Sequence, residues 1–125
     1  MADQSKKDAA IEFLRLASRG DVEQAFDRYV AGGFRHHNPW FAGDAGSLMR
    51  AMADNAREFP AKSCEPLRTV VEGDLVCVHS RIRLAPGDRS LAVVHIFRFD
   101  GERIVELWDV GQQEPEEMPN EHGMF

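Results

Sequence analysis

A chain of 125 residues that is 43% hydrophobic and 29% charged has the length and composition of one folded domain, and it excludes wholesale disorder or a second domain. Lys and Arg number 15 against 21 Asp and Glu, a formal net charge of −6, which disfavours nonspecific nucleic-acid or anionic-membrane partners because both require a basic surface. No apolar run approaches the ~20 residues of a membrane helix. Met1–Asp8 is polar, and Ile11–Ala17 is interrupted by Glu12 and Arg15, so no secretory leader is expected. Cys64 and Cys77 fit neither a CxxC nor another metal spacing. The expectation is a cytoplasmic protein with two reduced thiols.

The first half carries helical spacing. Ala10, Phe13, Leu14 and Ala17 form one stripe, ended at Gly20. Asp21 with Gln24 resembles a capping box before a second stripe of Val22, Ala25, Phe26 and Tyr29. Gly32-Gly33 breaks that helix, Phe34–Asn38 is short and extended, and Pro39 closes it. Ser47 is a candidate cap for a third helix with the stripe Leu48, Met52, Ala56 and Phe59.

The second half switches to period two. Strands are predicted at Glu65–Val71, Leu75–Leu84, Arg89–Phe99 and Arg103–Gln112, joined by Gly-containing turns, which indicates an antiparallel meander. An acidic tail, 114–125, follows and ends on Met124-Phe125. Helices first and strands after make an α+β domain spanning 1–125. Val76, Val78, Ile82 and Leu84, with Val94 and Ile96, suggest a second apolar sheet face that needs its own cover, and a second copy of the chain is the economical cover.

Alternation puts His79 with Leu75, Cys77 and Arg81, His95 with Leu91, Val93, Phe97 and Phe99, and Asp109 with Val105 and Leu107, while Trp108 faces the other way with Ile104. A carboxylate inside an apolar strand needs a partner or a raised pKa. His79, His95 and His37 are the candidate partners, with Trp40, Phe41 and Phe97 as apolar walls of a pocket. A buried network that fixes strand register, or a dimer contact, is the equally weighted alternative. His36 and His122 read as surface residues, and Trp108 as a core or interface aromatic. Three histidines and an aspartate raise the thought of a metal site, but no compact HxH or HxxxH pair supports one. Phosphate-loop and GxSxG signatures are missing.

The segments Phe34–Pro39, Val71–Ser80, Val93–Phe99 and Arg103–Val110, with Asn120–Phe125 at the close, resemble the SnoaL-like group of the NTF2-like superfamily over nearly the whole chain. The resemblance implies an α+β, cystatin-like cone: N-terminal helices on a curved antiparallel sheet around a deep apolar pocket, often paired through the sheet as a homodimer. Its known activities include polyketide cyclases, ketosteroid isomerases, dehydratases and epoxide hydrolases, and other relatives only bind ligands, so fold alone does not decide function. By motif, the cyclases' acid/base aspartate falls on Asp109, and His37, Asn38, Pro39 and His79 match group motifs. The group's usual Asp is replaced by His95 and its usual His by Leu107. The isomerase base, tyrosine and acid fall on Asn38, about Phe13 and His95. Asn cannot act as the base and Phe cannot donate a hydrogen bond, so isomerase activity is not expected.

The expected function is therefore acid/base chemistry, such as aldol cyclisation or isomerisation, on a small, largely apolar carbonyl compound, with no metal or organic cofactor. Asp109 is its catalytic centre with His79 or His95, and His37, Asn38, Trp40, Phe41, Phe13, Phe97 and Leu107 are the ligand contacts. A non-catalytic dimeric ligand-binding protein is the alternative, and a protein-interaction domain a third.

Overall fold

The computed structural model describes residues 2–125. The two expected stripes close into helices α1 (Asp3–Ser18) and α2 (Val22–Tyr29), separated by Gly20, whose φ of 98° suits a residue without a side chain. Strand β1 (Val30–His36) and helix α3 (Ala45–Glu58) follow, and then β2 (Ser63–Glu72), β3 (Leu75–Arg83), β4 (Leu91–Asp100) and β5 (Arg103–Gln113).

Local signals account for these elements with two changes at helix starts. Asp44, not Ser47, caps α3: its carboxylate accepts from the Ser47 backbone N–H at 2.9 Å and from the Ser47 hydroxyl at 2.7 Å. An ionised carboxylate is the stronger acceptor for orphan helix amides. Asp21 stands at the start of α2 but makes no side-chain cap bond, because the Arg19 Nε–H takes its carboxylate at 2.6 Å.

The sheet order is β1-β5-β4-β3-β2. Strands β2 to β5 make the expected antiparallel meander. The N-terminal strand is longer than its apolar residues suggested: Gly32 and Gly33 lie inside β1, which pairs parallel with β5, so the sheet is mixed. A register shift between Val30 and Arg35, with Gly33 at φ 78°, lets β1 follow the edge.

Register decides which side chains face the helices. Val76 lies opposite Phe97 and Val78 opposite His95. Val76, Val78 and Phe97 are fully buried with Phe13, whose ring meets Phe97 edge-on at 5.7 Å and Phe26 at 5.4 Å. The apolar set Val76, Val78, Ile82 and Leu84 thus belongs to the helix-covered face, while Val94 and Ile96 lie on the other side. A bulge corrects a second assignment. Arg98 pairs with Glu106 but Phe99 pairs with Ile104, so Val105 is an extra residue that shifts the alternation. Ile104 and Leu107 are both buried in the core, and Trp108 does not share a face with Ile104.

Candidate functional site

A cleft of about 240 Å³ opens where α3, the 37–44 loop and the ends of β3 and β5 meet. Leu48, Ala51 and Met52 of α3, Phe41 of the loop, Ile82 and Leu91 of the sheet, and Leu84 just past β3 supply apolar walls. Its polar groups are Asn38, Asn55, Lys62 and Asp109. Wider hollows of about 580 and 470 Å³ lie on the α1–α2 surface, but exposed charged side chains such as Asp8, Arg15, Arg28 and Glu23 line them and no apolar wall encloses a ligand.

Asp109 is delivered by β5, opposite His95 on β4 and on the helix-facing side of the sheet. Its carboxylate accepts from the Asn38 Nδ2 amide at 3.1 and 3.4 Å. Asn38 is itself fixed, because its Oδ1 accepts from the Trp40 backbone N–H at 3.0 Å. The anchor beneath it is His36, which is 5% exposed rather than on the surface. The His36 Nε2–H donates to Ala42 O at 2.6 Å, leaving Nδ1 to accept from the Asn38 backbone N–H at 3.2 Å, and the His36 backbone N–H donates to Gly43 O at 3.1 Å. One neutral imidazole therefore ties both ends of the 38–43 loop and sets the amide that holds Asp109. Its position two residues after Phe34 on an alternating strand was the available signal.

His95 lies buried beside Asp109, its ring stacked on Phe97 at 6.1 Å. Burial lowers its pKa to about 4; the nearby Asp109 carboxylate pulls it back up and Lys62 pushes it further down. The imidazole is therefore neutral at neutral pH. No histidine bonds to Asp109 among the described residues, and His95 Nδ1 is buried without a partner.

The other predicted residues separate by face. Phe41 lines the cleft, and Trp40 beside it is 83% exposed. Phe13, Phe97 and Leu107 are core residues beneath the cleft rather than in its wall. His79 does not join Asp109, because strand alternation turns it to the outer face, where Arg68 donates to its Nδ1 and Phe125 stacks on it at 6.0 Å. His37 turns outward too. Its ring lies flat on Trp108, with centroids 5.1 Å apart, and its Nε2 meets Glu106 Oε2 at 2.6 Å. Arg35 and Arg98 reach the same Glu106 carboxylate at 2.8 and 2.9 Å. Those partners, with the Arg35 hydrogen bond the largest influence, hold its pKa down at about 2. Glu106 is the outer face's buried charge, and the half-buried Asp109 is the cleft's carboxylate. No cluster of three or more His, Cys, Asp or Glu side chains could hold a metal ion among the described residues.

Lys62 is the functional candidate that sequence reasoning did not pick out. It follows the Pro60-Ala61 turn in a short polar stretch with no period or motif to mark it. Tertiary closure of α3 over the sheet end brings it to the cleft.

The SnoaL-like domain model matches residues 10–107. The chain belongs to the SnoaL-like family. The match stops just short of Asp109, so the family assignment rests on the scaffold. Among solved structures, this SnoaL-like domain resembles AclR from Streptomyces galilaeus, provisionally described as a hydroxylase, at 18% identity and TM-score 0.74 over 89% of this chain and 91% of that one. It resembles a provisionally described polyketide cyclase from Acidithiobacillus ferrooxidans at 21% identity and TM-score 0.70, covering 89% and 91%. A SnoaL-like protein of unknown function from Burkholderia thailandensis aligns at 16% identity and TM-score 0.73, covering 90% and 98%. At these identities the likeness establishes the NTF2-like α+β cone and nothing about the reaction. No curated protein sequence matches the chain.

Proposed function

We propose that this SnoaL-like domain is an acid/base enzyme that removes a proton next to the carbonyl of a small, largely apolar compound, with Asp109 as the base. The observation that carries this reading is a carboxylate held by the Asn38 amide at 3.1 Å in a cleft whose apolar walls include Leu48, Met52, Ile82, Leu84 and Leu91. Apolar walls limit the water around the half-buried carboxylate and the forming enolate, and a fixed amide keeps the carboxylate oriented. In the step itself a C–H proton moves to an Asp109 oxygen, and the C–H electron pair moves into the carbonyl, leaving an enolate oxygen. Attack of that enolate carbon on a second carbonyl in the same molecule is an aldol cyclisation, and return of the proton at another carbon is an isomerisation. The provisional cyclase description of the Acidithiobacillus neighbour supports the same reaction class.

A small apolar ketone such as acetophenone, incubated in deuterium oxide with the protein, tests the reading by the rate at which its α-hydrogens exchange in NMR spectra. The native chain is expected to accelerate exchange over buffer, and Asp109→Asn to lower the enzymatic rate by roughly 10²–10⁴-fold. Unchanged exchange in Asp109→Asn overturns the role of Asp109. A binding-only cleft is the second reading, favoured by the missing histidine bond to Asp109. It predicts ligand binding with no exchange above buffer.

A further inference from the structure

The cleft has a cation at its other polar end. Lys62 is half-buried, and its Nζ donates to Asn55 Oδ1 at 2.6 Å. An ammonium carries three donors, and this contact uses one. No carboxylate pairs with it among the described residues; the ion pairs of the molecule lie elsewhere. Burial pushes its pKa down, and only the neighbouring Cys64 thiol pulls it back up. Lys62 shares the lining of the cleft with Leu84, Ile82 and Met52, so its remaining donors open onto a largely apolar cleft. Leaving a partly desolvated ammonium unpaired is unfavourable, and an anionic oxygen on a bound molecule would relieve it. His95 cannot take that part at neutral pH because it is uncharged and buried.

We infer that Lys62 is the anchor for an anionic oxygen, so that the ligands of this cleft are apolar carbonyl compounds carrying a carboxylate or an acidic enol. Resting on the acid/base reading above, this places the enolate oxygen at Lys62 while the proton leaves toward Asp109. Asn55 then acts as a positioning residue, holding the ammonium from below so that its remaining donors face the ligand. The charges of the cleft are divided, with the base at the β5 end and the cation at the turn before β2.

Two matched probe pairs test the inference by equilibrium binding, followed as NMR shift changes. Cinnamate against cinnamyl alcohol reads a carboxylate, and dimedone, an enolate at neutral pH, against dimethylcyclohexanone reads an enol oxygen. The native chain is expected to prefer the anion in at least one pair by about tenfold. A preference confined to the first pair assigns a carboxylate, and one confined to the second an enolate. Lys62→Met is expected to abolish the preference and Lys62→Arg to keep most of it. Lys62→Gln serves in place of Lys62→Met if the latter fails to fold. Equal affinity for both members of both pairs in the native chain overturns the inference, as does a preference that survives Lys62→Met or Lys62→Gln. Asp109→Asn separates the two claims, since it is expected to retain the anion preference whatever it does to proton exchange. Anion preference without exchange in the native chain therefore sinks the acid/base step and keeps the Lys62 anchor.

Discussion

Glu106 and His95 are both ionisable groups displaced downward by the fold, one by its partners and the other by its burial. Three cationic or hydrogen-bonding side chains converge on Glu106, so its folded pKa is about 2 against an ordinary 4.5. The unfolded chain takes up that proton first as the pH drops, so the stability Glu106 contributes is complete above 4.5 and disappears as the pH falls toward 2. His95 titrates at about 4 when folded against 6.5 when free. Again the unfolded chain binds the proton first, so its contribution is whole above 6.5 and is lost between 6.5 and about 4. Urea unfolding at a series of pH values should show two successive declines. His95→Gln is expected to flatten the upper one and Glu106→Gln the lower one; a full upper decline in His95→Gln would assign it to another group. At this scale the sequence was informative about Asp109 and Asn38, which neighbour recognisable strand and Pro39 signals. It was uninformative about which histidine matters, because five histidines look alike until register assigns His79 and His37 to one face and His95 to the other.

At the scale of elements, the helix starts and the bulge show where local signals compete. Asp44 serves the first turn of α3 with two bonds through Ser47, so Asp44→Ala is expected to lower the thermal midpoint by a few degrees. Ser47→Ala keeps the backbone N–H bond and should cost less; an equal or larger loss would make Ser47 the dominant cap. The Val105 bulge could not be read from alternation, since one extra residue leaves the composition of a strand unchanged while reversing the facing of everything beyond it. Parallel pairing of β1 with β5 was equally hidden, because it joins strands distant in sequence.

For the whole molecule, the outer face of the sheet carries an ordered pattern. One row across four strands is Val70, Cys77, Ile96 and Trp108, and the next is Arg68, His79, Val94 and Val110. Val70 and Val110 are 64% and 68% exposed. A charged row of Arg98, Glu106 and Arg35 borders this band. Two-fold pairing of a second copy would set the band against itself. The expectation is a dimer in sedimentation equilibrium that Val110→Glu turns into a monomer without loss of fold; a native chain that sediments as a monomer rejects the pairing. The basis is narrower than composition suggests, since Val76 and Val78 belong to the core beneath the helices.

By itself the sequence determined the order of elements, the α+β class and the placing of Asp109 in an apolar strand, because helical and strand periods, caps and glycine turns act over a few residues. Tertiary structure alone decided that Asn38 rather than a histidine holds Asp109, that His36 is a buried clamp, and that Lys62 shares the cleft. Those contacts join residues up to 71 positions apart, and they depend on strand register and on the closure of α3 over the sheet, which no local pattern encodes.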